Sequence, residues 1–212
     1  MKDIIKKALS TRFTSKKFDD SQKLSQDQVD LILESANLAP TSYGIQPFQI
    51  IEVTNQELKD AISKAGWNQE QFSTCDRLLV WATENDMSKA LENYKSRIIK
   101  YQRQEAEAAA GFIGFIQNSL DSNEKRHETL DQWNAKQAYI SLGFALYTCA
   151  LLGVESAPME GFDPSAVDEI LGLTKLGLKS VVILTIGVGM PDDANSTNPK
   201  VRKSIDELVI KT

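Results

Sequence analysis

The stretch from Lys179 to Val188 constrains the fold of this chain more than any other. Apolar side chains stand at nearly every position, with no polar alternation, and such a strand is covered on both faces. The chain is therefore expected to enclose a sheet between layers. Phe48 to Thr54 and Arg77 to Thr83, with its Leu78-Leu79-Val80-Trp81 run, read as two further strands. Helical patterns fill much of the rest. A short helix runs from about Met1 to Leu9. Another starts at Ser25, where Gln28 completes a capping box, and carries the Val29, Ile32, Leu33, Ala36 stripe until Pro40 ends it. Glu57 to Ala65 reads as a helix and Trp67 to Thr74 as a short helix or turn. Asp86 to Ser119 and Glu124 to Leu152 follow as long helical segments. The second lines up Ala135, Ala138, Leu142, Ala145 and Cys149, small enough to admit a close neighbour, and stops at Gly153. Ala157 to Pro164 reads as a link between helices, with Asp163 as N-cap and Pro164 at N1 of a helix reaching Gly172.

Only four or so strands, irregularly interspersed with helices, predict an α+β fold, a central sheet flanked by helices. Residues 1–212 read as one domain, since 212 residues suffice for a single proper core. The tail from Pro191 is polar and ends in the strand-like run Ile205 to Ile210. A terminal strand on a long arm pairs away from its own body, which predicts exchange of residues 191–212 between two copies.

A net charge of −5 argues against nucleic acid as a partner, and no apolar run approaches membrane-spanning length. The start, Met-Lys-Asp-Ile-Ile-Lys-Lys, lacks an export signal, and the two cysteines, Cys75 and Cys149, are isolated. Both features predict a reducing cytoplasmic setting, with the thiols serving as small buried hydrophobes. His127, the single histidine, has no acid–base partner in its segment and reads as a surface residue. No Gly-rich loop follows a strand, so side-chain cations must hold any phosphate.

Such cations are present. Arg12, Thr14 and Lys16 alternate, which aims all three to one side of an extended segment. Read alone they could form a solvated basic stretch, but Lys200 and Arg202 repeat the alternation in the tail. Convergence of the two would suit a phosphate dianion. Between a helix and a strand lies the nine-residue loop Pro40 to Phe48, far longer than a turn requires. Asn68 and Gln71, three apart, would share a helix face and offer donors and acceptors to the imide edge of a flavin or pyrimidine. Gly161 permits close main-chain approach to a ligand. Phe112 and Phe115, with Ile113 and Ile116, read as core or as the lining of an apolar pocket at a subunit boundary.

Together these stretches, in this order, resemble the FMN-dependent nitroreductase family of the oxygen-insensitive NAD(P)H type. They are Arg12-x-Thr14-x-Lys16, Ala39-Pro40-Thr41-Ser42 through Gln46-Pro47-Phe48, Asn68-x-x-Gln71, Pro158-x-Glu160-Gly161-Phe162 and Lys200-x-Arg202. The resemblance implies a nitroreductase-like homodimer with a mostly antiparallel sheet, a C-terminal strand exchanged between subunits, and FMN at the interface. It implies that Arg12, Thr14, Lys200 and Arg202 meet the phosphate and that Lys16 lies by the flavin N1 and C2 carbonyl. Asn68 and Gln71 would bind the pyrimidine edge, and the Glu160-Gly161 main chain would approach N5 and O4. Pro40, Thr41 and Ser42, with Gly44 in the same loop, would reach the cofactor from the other subunit. Some relatives carry Asn in place of Gly44 and Lys in place of Gln71, which here leaves Lys16 the main charge at the ring. The implied reaction is ping-pong, NADH or NADPH giving hydride to N5 before a nitroaromatic or quinone takes the electrons. A flavin reductase and a non-catalytic FMN carrier or redox sensor remain as alternatives.

Overall fold

The computed structural model describes residues 1–122 and 128–212. Its centre is a four-stranded sheet of β1 (Phe48–Val53), β2 (Arg77–Glu84), β3 (Glu155–Met159) and β4 (Leu178–Gly187) in the order β1-β2-β4-β3. Every neighbouring pair is antiparallel. The apolar run opening at Lys179 becomes β4, an inner strand buried along most of its length, as its pattern requires.

Side chains alternate across a strand, so β2 feeds two cores. Leu79 and Trp81 pack with Val182, Leu184 and Ile186 under α2 (Gln26–Asn37) and α7 (Leu130–Leu152). Leu78 and Val80 face the opposite layer with Ile183, where α3 (Gln56–Ala65), α4 (Glu70–Thr74) and α8 (Pro164–Leu171) contribute Ile62, Phe72 and Val167. The small-residue face of α7 does admit a close neighbour: Ala138, Leu142, Ala145 and Cys149 pack on Ile32 and Ala36 of α2. The Trp81 indole N–H donates to Ser141 Oγ at 3.0 Å, and that hydroxyl donates to the Ala36 carbonyl at 2.9 Å. One hydrogen-bonded relay thus joins β2, α7 and α2. Just before β2, the buried Asp76 carboxylate accepts the Leu24 N–H at 3.1 Å and pairs with Lys23 at 3.4 Å and Arg77 at 2.9 Å.

The capping box of Ser25 and Gln28, the left-handed C-cap at Gly153 and the Asp163–Pro164 helix start all form. Several expectations are corrected. Part of the expected interhelix link is an edge strand, β3, which tolerates Pro158 because an edge position does not need its missing N–H. The segment Asp86 to Ser119 is two helices, α5 (Met87–Gln102) and α6 (Ala106–Asp121), separated at Arg103, whose φ is +55°. The next helix, α7, starts at Leu130 behind a Thr129–Gln132 capping box. The expected start at Glu124 and the reading of His127 lie outside the described residues. The tail ends in no strand: Ile205–Leu208 is a short helix, α9, because Ser204 and Glu207 form a capping box.

Candidate functional site

The first helix, α1 (Lys2–Thr11), ends at Arg12, and the chain turns extended. Thr14 bridges to Ser156 of β3, and the Ser15 N–H donates to the Ser156 carbonyl at 3.2 Å. That pairing buries Ser15 and leaves Arg12 and Thr14 on the open side, as alternation predicts. They line a cleft of about 200 Å3 together with Asn195, Asn198, Lys200 and Arg202. Arg12 and the Lys200–Arg202 pair, almost a chain length apart, thus share one cavity, whereas Lys16 does not line it. Among the described residues no carboxylate pairs with Arg12, Lys16, Lys200 or Arg202. Lys200 Nζ donates instead to the Ser10 carbonyl, and Arg202 donates to its neighbour's carbonyl at 2.7 Å. Arg12 Nε is buried with no partner among the described residues. A buried guanidinium donor without an acceptor is costly unless a ligand supplies one.

Sequence reasoning missed the residues that hold the tail against this segment. Buried Asp193 accepts the Lys16 N–H at 2.7 Å and the Asn195 N–H at 2.8 Å. Asn195 Nδ2 then donates to the Thr14 carbonyl at 3.0 Å. Asp and Asn close together in a polar tail are a turn signal, though nothing local reveals their partners.

Beside this cleft lies the corner between α3 and α4, tied to it by the Phe18 N–H, which donates to Thr74 at 3.1 Å, and by Lys17–Glu70 at 3.4 Å. Asn68 precedes α4 with φ at +57°, as does Trp67, so Asn68 and Gln71 do not share a helix face as expected. Asn68 is exposed, whereas Gln71 is buried with its amide against Met159 Sδ at 3.6 Å. Gln69 Nε2 donates to the Gly161 carbonyl at 2.9 Å. A Cβ on Gly161 would lie 3.1 Å from the Trp67 ring and 3.2 Å from Gln69, so a larger residue would push this corner open. The Gly161 N–H meets no acceptor among the described residues. Next to it, Tyr139 of α7 donates its hydroxyl to the Glu160 carboxylate. Burial first, and that hydrogen bond second, push the phenol well above its ordinary range, so it stays protonated and donating.

The loop from Pro40 is held elsewhere. The Ser42 N–H donates to Gln137 Oε1 of α7 at 2.8 Å, and Gly44, with φ at +77°, packs so that a Cβ would lie 3.3 Å from the Tyr94 hydroxyl. Gln137 and Tyr139 are two residues apart, about 200° around a helix axis. Ser42 and Glu160 are therefore held on opposite flanks of α7. The outer faces of α6 and α7 expose Phe112, Phe115, Ile140, Phe144 and Leu151. Of the apolar quartet on α6, Ile116 alone is fully buried, so Phe112 and Phe115 are not core.

Neither cysteine takes part. Burial pushes both thiols up, from an ordinary 9.0 to about 12. The thiolate is the reactive form, so native protein is expected to give no rapid reaction with a thiol reagent at neutral pH. Both thiols should titrate once guanidinium unfolds the chain. Because the folded values are raised, stability from the protonated thiols is complete below pH 9 and declines as pH rises toward 12.

The model of the Nitroreductase family matches residues 9–189. The Major NAD(P)H-flavin oxidoreductase of Aliivibrio fischeri is 32% identical over 213 residues, covering 95% of each chain. A nitroreductase-like protein from Streptococcus mutans superposes with a TM-score of 0.85 at 21% identity, over 100% of both chains. A protein from Exiguobacterium sibiricum, described as a nitroreductase and crystallised with FMN, gives 0.78 at 20% identity, over 100% of this chain and 96% of its own.

Proposed function

The chain belongs to the nitroreductase family, and from that premise we propose that it is an FMN-dependent NAD(P)H oxidoreductase of nitroaromatics or quinones. The observation that carries this reading is the cleft shared by Arg12, Thr14, Lys200 and Arg202, with a buried guanidinium nitrogen left unpaired. A phosphate monoester would supply the acceptor that Arg12 Nε lacks, through short charge-assisted hydrogen bonds. FMN held there would supply two-electron hydride chemistry, with NADH or NADPH as donor and a second substrate as acceptor in ping-pong order. The residues of the chain position that chemistry. Asp193 fixes the Lys16 main chain, so that the Lys16 ammonium would lie beside the electron-rich pyrimidine edge and stabilise charge there. Gly161 offers a free N–H where a ring acceptor would sit, and Asn68 and Gln71 would border the imide. Trp67 and Gln69 brace that corner. No dedicated protein acid or base is required.

The same reading makes the protein a homodimer. Ser42 is held across α7 from Glu160, so the loop of Pro40, Thr41, Ser42 and Gly44 serves the site of a second copy. Residues 191–212 form the arm that wraps it: Val201, Ile205, Leu208 and Ile210 are exposed on their own chain, 87%, 68%, 64% and 88% respectively, and need a partner surface.

Protein loaded with FMN and freed of excess is expected to be yellow and to bleach on anaerobic addition of NADH or NADPH. A colourless protein that takes up no FMN would end the proposal. A bound flavin that neither nicotinamide bleaches would leave a carrier or redox sensor. The name of the Aliivibrio fischeri relative favours one second reading, a flavin reductase. Steady-state rates with a nitroaromatic, a quinone and free flavin separate the two.

A further inference from the structure

The loop after Pro40 keeps three residues in the left-handed region: Tyr43 at +56°, Gly44 at +77° and Gln46 at +53°. For Tyr and Gln that conformation is disfavoured and persists only where the surroundings impose it. Three of the loop's N–H groups are satisfied within it. Gly44 donates to the Thr41 carbonyl at 2.9 Å, Ile45 to the Ser42 carbonyl at 3.3 Å, and Gln46 to the Thr41 hydroxyl at 3.3 Å. Its outward carbonyls are another matter. Tyr43 O accepts from the Tyr94 hydroxyl and Ile45 O from the Arg97 guanidinium at 2.7 Å, both on α5. Arg97 also lies 5.6 Å from the centre of the Tyr94 ring, which braces the two donors against each other. From α6, Ser119 shares a 2.8 Å hydrogen bond with the Tyr43 hydroxyl. Helices α5 and α6 therefore grip one strained loop, which Gln137 of α7 and the Asn37 carbonyl of α2 also hold.

We infer that Tyr94 and Arg97 are positioning residues that hold residues 41–46 in the shape offered to the second copy's flavin. Among the described residues none of α5 lines the cationic cleft, yet through these two donors the helix sets how firmly the cofactor is gripped. The step from loop shape to flavin affinity rests on the reading under Proposed function.

The test uses full-length protein and four variants: Arg97→Met, Arg97→Lys, Tyr94→Phe and Lys95→Met. Lys95 pairs with Glu92 on the same helix and makes no hydrogen bond to the loop among the described residues, so its variant is the control. Amide hydrogen exchange of residues 41–46 reads the loop without flavin, and fluorescence titration reads FMN affinity. Arg97→Met and the nearly isosteric Tyr94→Phe are each expected to speed exchange in 41–46 and to weaken FMN binding about tenfold. Arg97→Lys, which restores one donor, should recover most of both, and Lys95→Met should change neither. Unchanged exchange in Arg97→Met and Tyr94→Phe would overturn the clamp. Faster exchange with unaltered FMN affinity would overturn the positioning role. Wild-type protein that binds no FMN would instead sink the functional reading, while the exchange measurements would still report on the clamp.

Discussion

Replacing Arg12 with alanine is expected to weaken FMN binding about 100-fold and riboflavin binding hardly at all. The estimate follows from charge-assisted hydrogen bonds worth about 1.5–3 kcal/mol, with each 1.4 kcal/mol a factor of ten in affinity. Arg12 is the half-buried member of the cleft, whereas Lys200 and Arg202 are exposed and more strongly screened by solvent. Alanine at Arg202 should therefore cost less, about tenfold. Riboflavin lacks the phosphate, so the difference between the two ligands isolates the cation–phosphate contact from any general damage. Fluorescence quenching of each flavin on titration with protein measures both. An equal loss for the two would mean that Arg12 shapes the site but does not bind phosphate.

The largest stability effect is expected at Asp76. It is fully enclosed, and its carboxylate joins the Leu24 N–H to Lys23 and Arg77 where the chain enters α2 and β2. Alanine there leaves a main-chain donor without its acceptor and strips a half-buried guanidinium of one of its two carboxylates. Breaking a buried charged cluster of this kind costs about 3 kcal/mol, the lower end of its usual range, since Arg77 keeps Glu52 at 2.9 Å. In a chain of this size the melting temperature of flavin-free protein should fall by roughly 6–12 °C. Asparagine keeps one acceptor and should lose about half as much. Calorimetry showing an unchanged melting temperature for Asp76→Ala would remove Asp76 as an anchor.

Local chemistry made part of this structure readable in advance. The Ser25–Gln28 box, Gly153 and the Asp163–Pro164 pair act within a few residues, and each forms as its residues dictate. The inner strands β2 and β4 announced themselves by runs that are apolar at most positions. The edge strand β3 did not: Glu-Ser-Ala-Pro-Met has no β-branched residue, and its pairing with β4 is a tertiary fact. At Ile205 the apolar run suggested a strand, although the capping box Ser204-Ile-Asp-Glu207 was present in the sequence and prevailed. The site divides in the same way. Arg12, Thr14, Lys200 and Arg202 were legible as charge patterns and do share a cavity. Asp193, Gln137, Tyr94 and Arg97 act through contacts across tens of residues, for which one sequence offers no local sign. The helical premise for Asn68 and Gln71 failed because Asn68 adopts a left-handed backbone ahead of α4.

Helix α7 works as a keyed shaft. Gln137 engages the Ser42 loop on one side and Tyr139 engages Glu160 on the other, while Ala138 between them is locked under α2. Insertion of a single residue after Ala138 would rotate everything downstream by about 100°. Tyr139 would swing away from Glu160, and the small-residue flank would turn out from α2. A change of length within Leu130–Leu152 is thus expected to cost both settings at once.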